Sequence, residues 1–312
     1  MKSLILASSI ATFMLSLPAS GSLLVYEGFD YTVAANGVSG QNGGIGFDAG
    51  WDSPANSGDI IAGSMNYTDG GGRTLVTSGN TYFGDSTTLG AGTVGATTIQ
   101  NFRAFDVSLN AAAAGGATTL YVSVLGLQTT ASERAVNLAL FTNVANNGVY
   151  TSQERISFGH GTSQPAAGLN PYRWGAFVFG NGNNGALPQV IGSNYSAVSI
   201  YASTFAVLRI DINASGLDER FRLYLNPSLN VEPGVADVDF LRDSLVSINE
   251  IDRVRPFAGG SNAALGAAQN NFDEFRIGTD WADVTPFTVV PEPSAFAMLA
   301  LGAMGFARRR RR

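Results

Sequence analysis

The sequence predicts an all-β protein built as an antiparallel β-sandwich of the jelly-roll type. Short runs rich in Val, Ile, Thr, Phe and Tyr recur along the chain, and clusters of Gly, Asn, Asp and Ser separate them. About ten such runs at this spacing are typical of a sandwich or jelly roll. Only 13% of the 312 residues are charged, which excludes a coiled coil or another long-helix protein.

The predicted strands follow one another through a single domain, residues 23–285. In the run 118–128, Leu120, Val122 and Val124 point to the opposite face from their neighbours, which is the period of a strand. No repeat period and no internal linker is visible, so one domain is predicted, followed by a proline-containing spacer at 286–293. The predicted strands lie at 23–29, 101–109, 118–128, 135–141, 155–158, 174–179, 196–201, 204–212, 220–225 and 272–277.

The first 22 residues have the pattern of a secretory signal peptide. Lys2 supplies the positive start, an apolar run follows at 4–17, and small residues at 18–22 form the exit. A retained anchor helix or a buried first helix is the alternative. The sequence contains no cysteine, which fits export without disulfides but would equally suit a cytosolic protein.

The C-terminal residues combine three features in a fixed order. Pro291, Glu292 and Pro293 form a segment that is predicted not to be helical, since proline lacks the amide donor of a helix. The apolar run 295–307 follows and would make a helix about 20 Å long. This is a short transmembrane helix, because a bilayer core is about 30 Å thick. The terminal arginines hold their side in the cytoplasm and place the domain outside.

This arrangement resembles the PEP-CTERM sorting signal, in which a Pro-Glu-Pro motif, a short apolar helix and a terminal arginine cluster occur in that order. The resemblance covers 290–312. It implies recognition by exosortase, a membrane protease-transferase, and removal of the tail. It also implies a Gram-negative bacterium with an exopolysaccharide matrix, and a protein held transiently in the inner membrane before it reaches the cell surface or that matrix. An ordinary C-terminal tail anchor is the alternative. The residues that carry the resemblance are Pro291, Glu292, Pro293, Arg308, Arg309, Arg310, Arg311 and Arg312.

The remaining chemistry-bearing residues exclude several functions. Between residues 23 and 290 there are 12 arginines, no lysine and 23 acidic residues, so no basic stripe is available for nucleic acid. His160 is the only histidine, which argues against a His-containing catalytic triad and a His-based zinc site. Because it lies between two glycines, His160 is predicted to be an exposed loop residue. No Gly-rich stretch carries the Lys-Ser or Lys-Thr of a phosphate loop.

The two ends of the body carry a second resemblance. The start contains residues 24–31 (LVYEGFDY), 40–47 and Trp51, and the end contains 221–227 and 272–281 (FDEFRIGTDW). Together these segments resemble the concanavalin A-like or laminin-G-like jelly-roll domains. The resemblance implies that the first and last strands are neighbours in one sheet. Tyr26 and Glu27 would then lie near Asp273 and Glu274.

A glycosidase needs only two carboxylates about 5–10 Å apart, so composition alone does not exclude one. The concanavalin A-like glycosidases carry three acids in the pattern Glu-x-Asp-x-Glu or Glu-x-Asp-x-x-Glu, and neither pattern is present here. The nearest matches are Asp237 with Asp239 and Glu250 with Asp252, each of which places two acids on one side of a strand. A solvated strand face or loop is the alternative, and no catalytic residue is predicted.

Calcium is the one cofactor that the sequence suggests, because it binds six to eight oxygen ligands and the body has an excess of acid. Glu27 and Asp273 would supply carboxylates to a structural calcium ion if the terminal strands pair. The alternative is that these acids form salt bridges with Arg276 or face water.

A carbohydrate site is suggested by exposed aromatic and amide side chains close together in sequence. Tyr172, Trp174, Asn181 and Asn183 form such a group. The alternative for Trp174 is the core, since it alternates with Ala176 and Val178 in a predicted strand.

The resulting hypothesis is a non-enzymatic, exported surface or matrix protein with a lectin-like domain and a polysaccharide as the candidate ligand. Two alternatives remain open. One is a polysaccharide-active glycosidase that works through Asp or Glu, and the other is a structural matrix protein without a ligand.

Overall fold

The computed structural model describes residues 21–54, 56–86, 98–106, 119–129, 135–142, 154–160, 172–178, 195–215, 218–242, 251–259 and 268–289. Nearly all regular structure in these ranges is antiparallel β, and the single helix there is four residues long. The predicted all-β sandwich is therefore confirmed. Among the described residues, no helix is long and apolar enough to cross a membrane. The signal peptide and the C-terminal transmembrane helix were predicted for segments that lie almost wholly outside these ranges.

The described residues form seventeen strands and the short helix α1 (Trp281–Val284). The strands are β1 (Leu23–Glu27), β2 (Asp59–Ala62), β3 (Arg73–Leu75), β4 (Asn80–Asp85), β5 (Thr98–Gln100), β6 (Arg103–Ala104), β7 (Thr119–Gln128), β8 (Ala135–Thr142), β9 (Glu154–His160), β10 (Arg173–Val178), β11 (Tyr195–Ser199), β12 (Thr204–Ser215), β13 (Asp218–Leu225), β14 (Val238–Arg242), β15 (Ile251–Gly259), β16 (Gln269–Gly278) and β17 (Phe287–Val289).

Two large sheets account for most of these strands. The first sheet has the spatial order β14-β13-β12-β7-β16-β4-β2, and β1 also pairs with β16. The second sheet has the order β11-β10-β9-β8-β15-β5, and β6 also pairs with β15. Alternate residues of both sheets meet in one apolar cluster, for example Val122 and Val124 of β7 with Leu138 and Leu140 of β8. The core thus lies between the sheets, as the period of two requires.

Strand β16 changes its partner halfway along one edge. Its first part, Gln269 to Phe272, pairs with β4, whereas its last part, Phe275 to Gly278, pairs with β1. The register shifts on its other side between Asp273 and Arg276, where Glu274 has a φ of 56°. The first and last predicted strands are therefore neighbours, and a bulge at Asp273 and Glu274 fills the gap between β4 and β1.

A separate ribbon ends the described chain. Strand β17 pairs with β3, and the amide of Val76 donates to the carbonyl oxygen of Pro286 at 2.9 Å. Immediately before β17, Trp281 and Val284 are buried against the outer face of the first sheet. The first residues of the segment predicted as a spacer are consequently a strand of the fold.

The outer face of the first sheet is crossed by the loop 226–237. Glu232 holds this loop in place, because its carboxylate accepts hydrogen bonds from Tyr121 Oη and Tyr224 Oη. Arg209 Nη1 also donates to both carboxylate oxygens of Glu232, at 2.7 and 2.8 Å. The donors lower the pKa of Glu232 despite the opposing effect of burial. This charged cluster is therefore internally paired and holds the loop on the sheet.

Candidate functional site

The pairing of β1 with β16 places Glu27 inside the sandwich. Its carboxylate accepts hydrogen bonds from the Phe29 amide at 2.8 Å, Tyr31 Oη at 2.6 Å and Trp51 Nε1 at 3.0 Å. The fourth donor is Arg103 Nη1 at 2.6 Å, and both side chains of this ion pair are only 1% exposed. The negative charge of Glu27 is thus neutralised by an arginine that is 76 residues away in sequence.

Arg103 is as fully bonded as its partner. Its Nε donates to the carbonyl oxygen of Ala49 at 2.8 Å, and Nη2 donates to Asn42 Oδ1 at 2.9 Å and to the Gly43 carbonyl at 2.7 Å. The guanidinium carbon lies 3.9 Å from the ring centroid of Phe47, a favourable cation–π contact. The pair therefore ties the loop that follows β1 to β6 in the second sheet.

Asp273 lies in the bulge of β16 and has different partners. Its Oδ2 accepts the Met65 amide at 2.8 Å and lies 2.7 Å from Ser64 Oγ, and its Oδ1 accepts the Glu274 amide at 2.9 Å. Ser64 Oγ is also 3.1 Å from the carbonyl oxygen of Met65. A hydroxyl has one proton, so when Ser64 donates to Met65, a protonated Asp273 donates to Ser64. This agrees with burial, which raises the pKa of Asp273 to about 8.

These partners correct the calcium prediction. The oxygens of Glu27 and Asp273 already accept hydrogen bonds from protein donors, and Arg276, the expected partner of these acids, pairs with Glu274. Within the described ranges, no group of three or more His, Cys, Asp and Glu side chains could hold a metal ion. A calcium site formed by Glu27 and Asp273 is not supported, because a cation would have to displace the donors that satisfy both carboxyls.

The predicted carbohydrate residues also separate. Trp174 is 1% exposed and belongs to the core, so its ring is not available to a sugar. Tyr172 is half-buried, and its ring centroid lies 5.2 Å from that of Tyr201. Asn181 and Asn183 lie outside the described residues. The core alternative for Trp174 is the correct one, since residues 174, 176 and 178 share the inner face of β10.

His160 also differs from its prediction. It is the last residue of β9 and is buried, with its ring centroid 6.2 Å from that of Tyr172. Gly159 has a φ of 134° and continues the strand instead of forming a turn, which brings His160 to the inner side with Ile156 and Phe158.

A second surface emerges once the inner residues of β8, β9 and β10 are assigned. The outward positions of these strands carry small side chains, which we call the second-sheet floor: Asn137, Ala139, Ser157, Gly159 and Gly175. Pairing places Gly175, Gly159 and Asn137 in one row across the strands, and Ser157 beside Ala139 in the next. A Cβ at Gly159 would lie 2.4 Å from the carbonyl oxygen of Val136, so no larger residue fits there without a shift.

Aromatic residues stand on both sides of the second-sheet floor. Phe177 and Tyr195 meet edge to face at 5.3 Å on the side of β10 and β11. On the side of β15, Phe141 and Phe257 enclose the guanidinium of Arg255, whose carbon is 4.5 and 4.3 Å from their ring centroids. Large side chains thus stand on either side of small ones. We call the floor and these flanking residues the depression, after the difference in side-chain size; apart from the half-buried Tyr195, their side chains are buried.

The depression contains polar atoms without partners. Within the described part of the chain, Asn137 Oδ1, Ser157 Oγ and Arg255 Nε are buried and have no hydrogen-bond partner. The charge of Arg255 is balanced by Glu154, whose Oε2 lies 2.9 Å from Nη2, and burial lowers the pKa of Arg255. The residues Ser157, Ala139 and Arg255 follow one another across three strands, so these atoms share one region.

The acids considered for glycoside hydrolysis have structural partners. Asp239 pairs with Arg220 at 2.6 Å, Asp237 accepts the amide of Leu225, and Asp252 pairs with Arg253. Glu250 lies outside the described residues. Among the residues that the structure describes on the second-sheet face, Glu154 is the acid that contacts the depression, through Arg255.

Sequence reasoning missed the second-sheet floor, although the signal was present. Once Trp174 and Ala176 are placed inside, the period of two puts Gly175 and Phe177 outside, and the same rule puts Ser157 and Gly159 outside. Trp174, the β10 member of the predicted carbohydrate group, therefore lies on the inner face of the strand.

Comparison with known proteins identifies the C-terminal segment. Residues 289–312 match the PEP-CTERM protein-sorting motif, which confirms the resemblance noted in the sequence. The motif indicates export and membrane-associated sorting, and it implies processing by exosortase. The matched segment begins at Val289, the last residue of β17. Pro291, Glu292, Pro293 and the arginines 308–312 belong to the match and lie outside the described residues.

No curated protein matches the chain. Several solved structures overlap with it at low identity. SCLam, a non-specific endo-β-1,3(4)-glucanase of family GH16, is 12% identical with a TM-score of 0.42, over 85% of this chain and 93% of that one. The exoplasmic/lumenal domain of VIP36, bound to Ca²⁺ and Man3GlcNAc, is 10% identical with a TM-score of 0.37, over 77% and 93%.

A carbohydrate esterase from the Shiga toxin-encoding bacteriophage phi24B is 9% identical with a TM-score of 0.40, over 83% of this chain and 99% of that one. Overlaps at this level assign neither an activity nor a ligand to the present chain.

Proposed function

We propose that the protein is exported, sorted through its C-terminal motif and released as a non-enzymatic, lectin-like sandwich that binds extracellular polysaccharide. Exosortase is the transient partner in this proposal. The inner membrane holds the precursor, and the cell surface or the exopolysaccharide matrix is the destination of the processed protein. The sorting motif at 289–312 supports the route, and the second-sheet depression supports the ligand.

The observation that carries the ligand is the set of unpartnered polar atoms in the depression. A buried polar atom without a partner costs about 1–3 kcal/mol, so such atoms are retained where a ligand or water satisfies them. Ser157 Oγ and Arg255 Nε are donors, and Asn137 Oδ1 is an acceptor. Sugar hydroxyls both donate and accept, and they match this mixture.

The aromatic walls supply the apolar part of sugar recognition. Tyr195 is half-buried beside the small floor residues, whereas Phe177 and Phe257 are 1% and 9% exposed and reach a ligand only when this face opens. Ligand sites combine apolar surface with a few placed polar groups, as this face does. Ser157 is only 1% exposed, so ligand entry requires this face to open.

A pair of serine substitutions tests the proposal. We expect Ser157→Ala to weaken polysaccharide binding about twofold to twelvefold, because one hydrogen bond contributes about 0.5–1.5 kcal/mol. The same change should leave the free energy of unfolding equal or slightly raised, since the hydroxyl has no partner in the free protein. Affinity electrophoresis and a glycan array measure the first effect, and thermal melts measure the second.

Ser123→Ala is the matched control. Ser123 is also a buried strand serine on an outer face, but its Oγ donates to the carbonyl oxygen of Val284 at 3.0 Å. Its loss should lower the free energy of unfolding by about 1 kcal/mol and leave binding unchanged. Absence of binding to every polysaccharide would contradict the ligand, and release of reducing ends in the same incubations would favour a glycosidase instead.

A further inference from the structure

We propose that the surface formed by the β3–β17 ribbon and the loop 226–237 on the outer face of the first sheet, which we call the outer-face patch, rests on the lipid surface while the precursor is anchored. The inference concerns the orientation of the precursor and does not depend on polysaccharide binding. The proposed binding partner of the outer-face patch is the bilayer.

Exposed apolar side chains are concentrated in the outer-face patch. In the part of the chain that the structure describes, nine large hydrophobic residues are exposed, and five of them lie on three segments: 73–76, 227–236 and 286–289. Their exposed fractions range from 36% to 85%. We call these five the patch residues: Val76, Val231, Val235, Phe287 and Val289. Apolar residues exposed together indicate a surface that meets a partner or a membrane.

Hydrogen bonds show that the three segments are neighbours. The amide of Leu229 donates to Asp69 Oδ2 at 2.9 Å, and Tyr67 Oη donates to the carbonyl oxygen of Pro227 at 2.6 Å. Thr285 Oγ1 donates to the carbonyl oxygen of Leu229 at 2.8 Å. The loop 226–237 is thus attached both to the hairpin that contains β3 and to the segment that leads into β17.

The tail leaves the domain from within the outer-face patch. The sorting motif begins at Val289, and the apolar run 295–307 starts six residues later. Six residues span at most about 21 Å when fully extended, whereas the twelve residues of β12 alone span about 40 Å. The connection is shorter than the sandwich is long, so the outer-face patch, from which the tail leaves, is held within about 21 Å of the start of the apolar run.

The length of the apolar run strengthens this orientation. A helix formed by the 13 residues of this run would be about 20 Å long and so shorter than the bilayer core of about 30 Å, which would draw the flanking residues of the anchored chain toward the lipid. Arg73 lies next to the exposed ring of Phe287, with its guanidinium carbon 5.7 Å from the centroid. Arg73 also pairs with Asp69 at 3.2 Å, so its charge is balanced within the domain and the apolar side chains carry the contact with lipid.

Single cysteines test the orientation, because the native chain has none. The full chain would carry Val76→Cys, Val235→Cys or Val289→Cys labelled with a polarity-sensitive NBD fluorophore, in vesicles of phosphatidylcholine and phosphatidylglycerol. Leu241→Cys is the matched control, since Leu241 is 50% exposed but lies on β14, outside the three segments. Equal melting temperatures of labelled and unlabelled chains confirm that the fold is kept.

We expect a blue-shifted emission and at least a twofold loss of quenching by aqueous iodide at positions 76, 235 and 289 of the outer-face patch, and neither effect at position 241. A chain that ends at Val289 should show no such change with the same vesicles. Equal emission and quenching at positions 289 and 241 would overturn the proposal. A shift that appears without vesicles and grows with protein concentration would also overturn it, because the occupant would then be a second copy of the chain.

Discussion

Replacement of Arg103 by alanine is expected to lower the free energy of unfolding by about 3–5 kcal/mol, because it leaves the buried carboxylate of Glu27 without its counter-charge. Both partners are 1% exposed, so water cannot take the place of the guanidinium without opening the sandwich. The substitution also removes donors to Ala49, Asn42 and Gly43, and with them the link between β6 and the loop after β1.

Arg220→Ala is the matched control for this experiment. Arg220 also forms a close ion pair, with Asp239 at 2.6 Å, but the side chains of both partners are more than a third exposed. Exposed pairs contribute about 0–1 kcal/mol, so the control should change stability little. Urea unfolding of both variants measures the difference, and equal losses would show that the Glu27–Arg103 pair has no special weight in this fold.

The second large effect is a loss of stability between pH 6 and pH 8 that originates at Asp273. Burial raises the pKa of this carboxyl in the folded state to about 8, against 3.8 for the unfolded chain. The folded protein then binds one more proton than the unfolded chain in this interval. The stabilisation that Asp273 gives the folded state is complete below pH 3.8. Between pH 3.8 and about 8 it falls by up to about 1.4 kcal/mol per pH unit, and it is lost as pH rises through about 8.

Asp52 acts in the same direction at lower pH, since burial raises its pKa to about 6. Above pH 6 the effect of Asp52 is largely complete, so the slope from pH 6 to pH 8 is the one to compare between the native chain and its Asp273 variant. Asp273→Asn should flatten the slope there, whereas Asp239→Asn should keep it, because the pKa of Asp239 is lowered by Arg220. Urea titrations at several pH values measure these slopes, and an unchanged slope in Asp273→Asn would remove this carboxyl from the account.

The sequence predicted those strands whose apolar residues alternate clearly. Strand β7 was expected at 118–128 and occurs at Thr119–Gln128, and β16 was expected at 272–277 and occurs at Gln269–Gly278. Strand β15 was not predicted, since it contains Arg253, Arg255 and Pro256. Pro256 is tolerated because it lies where the strand beside β15 on one edge changes from β5 to β6. The side chains of both arginines lie on the outer face of the second sheet.

The candidate site was predicted only in part, because its contacts are long-range. The neighbouring terminal strands followed from a resemblance, but nothing local in the sequence shows that Arg103 reaches Glu27 and not a calcium ion. The second-sheet floor is a property of pairing among β8, β9 and β10, which periodicity alone does not specify. The sorting motif was predictable in full, since its three parts are contiguous.

Mass spectrometry of the protein released from the cells that produce it tests the sorting account most directly. The account predicts a chain that begins near residue 23, retains Phe287–Val289 and lacks Arg308 to Arg312. Cleavage must fall after β17, because Trp281 and Val284 are part of the packed outer face and β17 remains paired with β3. Recovery of intact peptides that end in the arginine run from the released fraction would contradict it.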